Sequence, residues 1–319
     1  MSSATTLASL RPEDVVVGEV RLRLWHLDQH SITQPRVLIL HGMRDVARSL
    51  LPVAQALSSR VNVTMLDQRG HGASDYPGAY SMEHFYYDLY RIITHLTGSS
   101  SAPVILLGHS LGGQICARFA GLFPELVQGL VLVEGLGPPE PNWPSNAAQE
   151  PMDIAHYRAL LLDRMAIPAR TRALPDLAFA ANRLRINNPR MSTQRAEFIA
   201  SITTKVHSTP GQPDALHWAF DPRVASAFVG FSIDDSQRLW QAVACPVLTI
   251  TGDHAHEYWR SAMPYPNYSG QFQDGEYQAR IAHFDTIAHE AFDGSGHMVH
   301  FDEPERLAQR SLAFVERIL

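Results

Sequence analysis

Gly108-His109-Ser110-Leu111-Gly112-Gly113 is the segment whose residue types and spacing point most directly to chemistry. A G-x-S-x-G at a turn from strand into helix projects a serine hydroxyl at the strand's end, and its glycines let the backbone turn tightly. The helix that begins at once places N–H groups beneath that hydroxyl, where developing negative charge is favoured. Serine is a weak nucleophile and needs a general base within hydrogen-bond reach. His297, in Ser-Gly-His-Met-Val-His-Phe-Asp-Glu-Pro-Glu, is the candidate base, because it follows the last predicted strand at the same sheet edge. His300 nearby reads as structural. A carboxylate must orient the imidazole. Two compete for that role: Glu134, after the predicted strand Val127–Val133, and Asp253, after Pro246–Ile250 by way of Thr251-Gly252. The backbone N–H groups of Leu111 and Met43 are the candidate oxyanion donors, and His41, His109 and Trp259 are candidate substrate contacts.

Other chemistries find weaker support. His254 and His256 are two apart, and His283 and His289 are six apart. Neither pair has metalloenzyme spacing and no cysteine pair accompanies them, so no metal and no cofactor is expected. Asp67 and Arg69 read as loop anchors. An aromatic stretch with Tyr258, Trp259, Tyr265, Tyr268 and Phe272 fits either a substrate pocket or packing against a neighbouring element.

The elements that must position these residues can be read from hydrophobic pattern. Val15–Val20 and Arg21–Leu27 form a hairpin about the turn Gly18-Glu19. Val37–Leu40 is a short, wholly apolar run, expected where a strand is buried on both faces of a parallel sheet, and Val61–Leu66, Val104–Leu107 and Val127–Val133 read as further strands. Between them, Asp45–Ser59, Met82–Leu96 and Leu111–Phe123 have helical periodicity. This alternation predicts an α/β fold of βαβ units. The pattern breaks at Gly135. From about Ala147 to Ala242 only helices are predicted, clearest at His156–Met165, Leu177–Leu184 and Thr193–Val206. A strand resumes at Pro246–Ile250. Tyr277–Ile287 is expected to be helical and Ala288–Phe292 a strand, and Glu303–Ile318 is expected to close the chain as a helix with Asp302 as N-cap. The first ten residues are expected to fray.

Composition sets the outer bounds. A chain of 319 residues and 35.5 kDa can bury about three quarters of the surface its unfolded form exposes. A net charge of -6 gives no broad basic field for nucleic acid. No apolar run reaches the ~18 residues of a membrane span, and the N-terminus lacks an apolar leader after a basic start. Cys116 and Cys245 read as buried thiols of a reducing compartment, so a cytoplasmic location is expected.

Taken together, His41-Gly42, Asp67–Ser74 (DQRGHGAS), Ser110 in GHSLGG and His297 in GSGHMVHFDEPE resemble the α/β-hydrolase superfamily over nearly the whole chain, from about residue 14 to 319. Within it, Leu130–Pro139 (LVLVEGLGPP) and His217–Val224 (HWAFDPRV) are most similar to the serine-hydrolase-like and haloalkane-dehalogenase-like branches. The resemblance implies a mostly parallel central sheet flanked by helices, with residues 1–135 and 242–319 as core and 136–241 as a helical cap over Ser110. In many members the acid stands three residues beyond the glycine of the later strand. That position here is Ala255, which favours Glu134 over Asp253. A serine replaces the aspartate nucleophile of dehalogenases and epoxide hydrolases, so acyl transfer to water is implied instead. The expected function is cofactor-free hydrolysis of a carboxylic ester on a small, partly apolar acyl substrate, with a pH profile rising through the imidazole range. An amidase, a C–C bond hydrolase and a ligand-binding protein on the same fold remain alternatives.

Overall fold

A computed structural model describes residues 10–27, 34–98, 102–140, 154–208, 211, 213–228, 231–263 and 267–319. The fraying expected for the first residues, and Tyr265, lie outside these.

Eight strands form one sheet: β1 (Arg11–Val17), β2 (Val20–Leu27), β3 (Arg36–Leu40), β4 (Asn62–Asp67), β5 (Val104–His109), β6 (Val127–Val133), β9 (Val247–Gly252) and β10 (Ile287–Phe292). Their spatial order is β1-β2-β4-β3-β5-β6-β9-β10. The six from β4 to β10 run parallel, and the β1–β2 hairpin joins antiparallel at one edge. The unbroken apolar runs have a direct cause. Successive side chains of a strand point to opposite faces, and both faces here are covered. Leu38, Leu106, Leu130 and Leu132 enter one core with the helices Met82–Thr97 and Leu111–Leu122. Val37, Ile39, Ile105, Leu107, Val131 and Val133 enter the other, with the helices Leu51–Leu57 and Pro304–Ile318. In β2 burial alternates from Val20 to His26, as its mixed sequence requires.

Strand order reverses at β3. The chain goes from β3 outward to β4, then crosses to β5 on the other side. At such a point the loops leaving the C-terminal ends of the two inner strands diverge and open a crevice. The loop 41–46 leaves β3 there, Ser110 leaves β5, Glu134 leaves β6, and His297 follows β10.

Residues 136–241 differ from the expected all-helical cap in two ways. The helices Ile154–Met165, Leu177–Asn187 and Thr193–Thr203 are present, but Thr204–His207 (β7) and Ala215–Trp218 (β8) form an antiparallel hairpin. Their side chains are nearly all half-buried, so neither run carries the apolar alternation that marks a strand. The helix Ile233–Trp240 belongs to the core: it buries Trp240 there, and the Arg118 side chain of the helix Leu111–Leu122 donates to Ser236 Oγ at 2.9 Å. The rest of the segment has its own apolar cluster, including Ala180, Met191, Ile199 and Ile202, which closes on Val46 after β3 and on Met298 and Phe301 beside His297.

Other boundaries shift modestly. Asp45–Ser59 is a short 3-10 turn, Ala47–Leu50, followed by the helix Leu51–Leu57. Helix Glu276–Ile281 ends before β10, and Ala255–Ala262 is a helix that carries Tyr258 and Trp259 of the aromatic stretch. Asp302 does not cap the last helix. Its carboxylate accepts the Gly296 N–H at 2.8 Å, while Glu303 and Pro304 begin the helix.

Candidate active site

Ser110 follows β5 directly, and the helix Leu111–Leu122 starts at the next residue. The turn is tight enough to force Ser110 to φ 50° and ψ -114°, a conformation L side chains rarely adopt. The flanking glycines follow from the same geometry. A Cβ on Gly112 would lie 2.4 Å from the Leu40 carbonyl oxygen, and one on Gly108 would lie 2.4 Å from that of Gly112. These contacts are with backbone, which cannot move aside.

His297 Nε2 lies 3.0 Å from Ser110 Oγ, and its Nδ1 lies 3.1 Å from Glu134 Oε2. Glu134 is buried and has φ 51°. Its other oxygen, Oε1, accepts the Gly252 N–H at 2.8 Å, so both oxygens are held. Asp253, the competing acid, is not brought to His297. Its side chain is 40% exposed and lies 3.8 Å from His254. Leu111 N–H is the first of its helix, and Met43 N–H lies in the loop after β3. Among the described residues neither has a hydrogen-bond acceptor. The next N–H in that loop, from Arg44, is already given to His71 Nε2 at 3.1 Å.

Two expected substrate contacts are corrected. His41 and His109 are buried beneath the site. His41 Nδ1–H donates to the Gly42 carbonyl at 2.7 Å while Nε2 accepts the Gln68 N–H at 3.1 Å. His109 Nε2–H donates to the carbonyl of His297 at 3.0 Å, and its ring packs between those of His297 and His300. Both side chains brace the loops that carry the site. His300 and Asp45 form a buried pair at 3.0 Å. Burial alone would raise the Asp45 carboxyl; the hydrogen bond from His300, helped by His41 and Ser49, holds it below the ordinary value.

Trp259 does reach the site. Its ring meets the His297 imidazole edge-on at 4.5 Å. Tyr258 stacks flat on the same imidazole, with ring centroids 4.1 Å apart and planes 7° apart. Neighbouring Glu257 holds Arg190 of the inserted segment through bonds of 2.9 and 3.0 Å, tying that segment to the helix covering His297. The aromatic stretch was the only sequence signal for Tyr258. The Arg190–Glu257 pair, 67 residues apart, had none. Of the other aromatics, Tyr268 donates its hydroxyl to the Pro139 carbonyl and Phe272 packs on Tyr277. The anchor reading of Asp67 and Arg69 matches the contacts. Asp67 accepts N–H groups of Ala47 and Ala73, and Arg69 forms a bidentate pair with Asp88.

Among the described residues two groups bring potential metal ligands within 4.8 Å: Asp45, His109 and His300 in the interior, and His254, His256 and Glu257 nearer the surface. Two members of the first are already paired with each other, and Glu257 of the second is engaged by Arg190.

The buried histidines impose a pH dependence on stability. Burial pushes His41 and His109 below the ordinary histidine range, and His71 from 6.5 down to about 3. The unfolded chain therefore binds more protons than the fold below about pH 6.5. Stability is intact above that value and is lost as pH falls from 6.5 towards about 3. Each such group contributes a slope of up to about 1.4 kcal/mol per pH unit. Urea midpoints measured from pH 7.5 to 5 are expected to fall, and to fall less steeply in His71→Gln. An identical slope in that variant would contradict the assignment.

The profile of the alpha/beta hydrolase family matches residues 37–310. The chain is similar to a serine hydrolase-like protein of Danio rerio, 29% identical over 188 residues, covering 57% of this chain and 54% of the relative. It is 33% identical over 101 residues to a 2-(acetamidomethylene)succinate hydrolase of Mesorhizobium japonicum, covering 31% of this chain and 35% of that protein. Matches to these curated relatives thus span about half of their length or less. Among solved structures, a thioesterase domain from the curacin biosynthetic pathway superposes with a TM-score of 0.74 at 22% identity, over 95% of this chain and 99% of that one; this likeness concerns fold alone. No described helix is long and apolar enough to cross a membrane.

Proposed function

The chain belongs to the alpha/beta hydrolase family, and on that premise we propose that it is a cofactor-free serine hydrolase whose preferred substrates are small carboxylic esters. The hydrogen-bonded line Ser110–His297–Glu134, at 3.0 and 3.1 Å, is the observation that supports this most. For His297 to accept a proton at Nε2, its Nδ1 must carry hydrogen, and Glu134 Oε2 is placed to accept that hydrogen. Ser110 Oγ then attacks the acyl carbonyl as its proton moves to His297. The carbonyl oxygen becomes negative, and the N–H groups of Leu111 and Met43 are the donors assigned to it. Such donors are worth about 3–4 kcal/mol each in the transition state. The imidazolium returns its proton to the leaving alkoxide, water attacks the acyl-enzyme with His297 as base, and the acid departs. The described part of residues 154–228 acts as a cap over this chemistry, held by Arg190–Glu257 and by the apolar contacts to Val46, Met298 and Phe301.

A panel of nitrophenyl esters, thioesters and anilides of matched acyl chains tests the reaction class. Ester turnover well above that of the anilide is expected; turnover of the anilide alone would move the assignment to an amidase. Tyr258 is assigned the positioning of the imidazole. Aromatic stacking of this kind contributes about 0.5–1.5 kcal/mol. Tyr258→Ala is expected to lower kcat about fivefold while Tyr258→Phe keeps it, as read by steady-state kinetics; equal kcat in all three proteins would contradict that role.

A further inference from the structure

Lys205 is the only lysine in the sequence, against 25 arginines. It lies on β7 in a cleft of about 510 Å³ between the inserted segment and the core. That volume is within the range of small-molecule sites, ~300–1,000 Å³. Its ammonium is half-buried over the face of Tyr76, 3.5 Å from the ring centroid. Burial, with the charges of Arg170 and Arg21 nearby, lowers its pKa from 10.5 to about 8.

The charges around the cleft are unevenly matched. Arg21 is paired with Asp14 and Asp75, and Arg223 with Asp221. Among the described residues, Lys205 and Arg170 have no carboxylate partner, although both face the same space. Trp218 and Phe220 add apolar wall, and Ser110, Glu134 and His297 do not line the cleft. Asp67 and Asp221 attract the ammonium less than Arg170 and Arg21 repel it, so a net repulsion remains around this half-buried amine. A ligand carrying a negative group would relieve that repulsion and restore the charged lysine.

We infer that this cleft is a binding site for a small organic anion, a carboxylate or phosphate, held by Lys205 and Arg170 beside the aromatic wall. The inference goes beyond the esterase reading and does not depend on it.

Pyridoxal 5′-phosphate tests it without turnover. Its aldehyde condenses with an amine to an imine, releasing water, and borohydride delivers hydride to the imine carbon and fixes the adduct. The only competing amine of the sequence is the α-amino group. Peptide mass mapping is expected to place the adduct on Lys205, at a half-saturating concentration about tenfold below that of 5-deoxypyridoxal, which lacks the phosphate and, having no 5′-hydroxyl, keeps its aldehyde free. Arg170 is exposed, so Arg170→Gln is expected to fold normally and to erase most of that preference. Protection by inorganic phosphate or by malonate is expected, and the stronger competitor names the head group. Equal labelling by the two aldehydes, labelling unaffected by Arg170→Gln, or failure of both anions to protect would overturn the proposal.

Discussion

Ser110→Ala is expected to lower kcat/KM on an activated carboxylic ester by about 10⁴-fold or more. The variant keeps the N–H groups of Leu111 and Met43, and so retains the residual rate that oxyanion stabilisation alone supports, roughly 10³–10⁴ over water. It loses the acyl-enzyme route entirely. The loss can be separated from misfolding because Ser110 is a strained position rather than a stabilising one, at φ 50° and ψ -114°. Conformations of this kind cost about 1–3 kcal/mol, which a side chain without Cβ avoids. Ser110→Gly is therefore expected to be equally inactive yet to unfold at a higher urea midpoint than wild type. Activity lost together with a lowered midpoint in both variants would mean that Ser110 serves packing instead.

The second large effect concerns the acid. Glu134→Gln preserves shape and burial but changes what His297 meets. The Gly252 N–H requires an acceptor, and Oε1 supplies it at 2.8 Å. The amide oxygen of glutamine takes that place, which turns its NH₂ towards His297 Nδ1. The ring must then carry its hydrogen on Nε2, where it cannot accept the Ser110 proton. A wrong tautomer of this kind is expected to cost about 10⁴ in kcat. Asp253→Asn alters a side chain that is 40% exposed and lies away from His297, so its kcat is expected to stay within about twofold of wild type. Parallel steady-state kinetics of the two variants decide between the carboxylates; the reverse pattern would assign the role to Asp253.

The site was legible where chemistry imposes local spacing. The glycines around Ser110 are demanded by backbone contacts within six residues and by the neighbouring β3 end, so the turn announces itself. β3, β5 and β6 were legible because burial on both faces leaves polar side chains only near their ends, at Arg36, His109 and Gln128. Glu134 was legible only through its place after β6 and the mismatch at Ala255, since two carboxylates end adjacent parallel strands at the same edge. His41 and His109 misled for a tertiary reason. A histidine beside a catalytic motif has the same sequence signature whether it faces substrate or braces the loop from below, and here both are fully covered. Tyr258 over His297 depends on how the helix Ala255–Ala262 docks. The helix Ile233–Trp240 has an apolar face whose partner, the helix Leu111–Leu122, is far away in sequence. The hairpin β7–β8 is too short and too evenly half-buried to show a period of two.

The Ser110–His297–Glu134 line makes Ser110 an activated nucleophile if it works as proposed. Intact mass after incubation with a serine-directed fluorophosphonate tests it without assuming any substrate. One adduct per chain is expected on wild type, and none on Ser110→Ala. Its yield should drop sharply in Glu134→Gln and stay unchanged in Asp253→Asn. A folded wild-type protein that takes up no adduct, or an adduct that persists in Ser110→Ala, would contradict it.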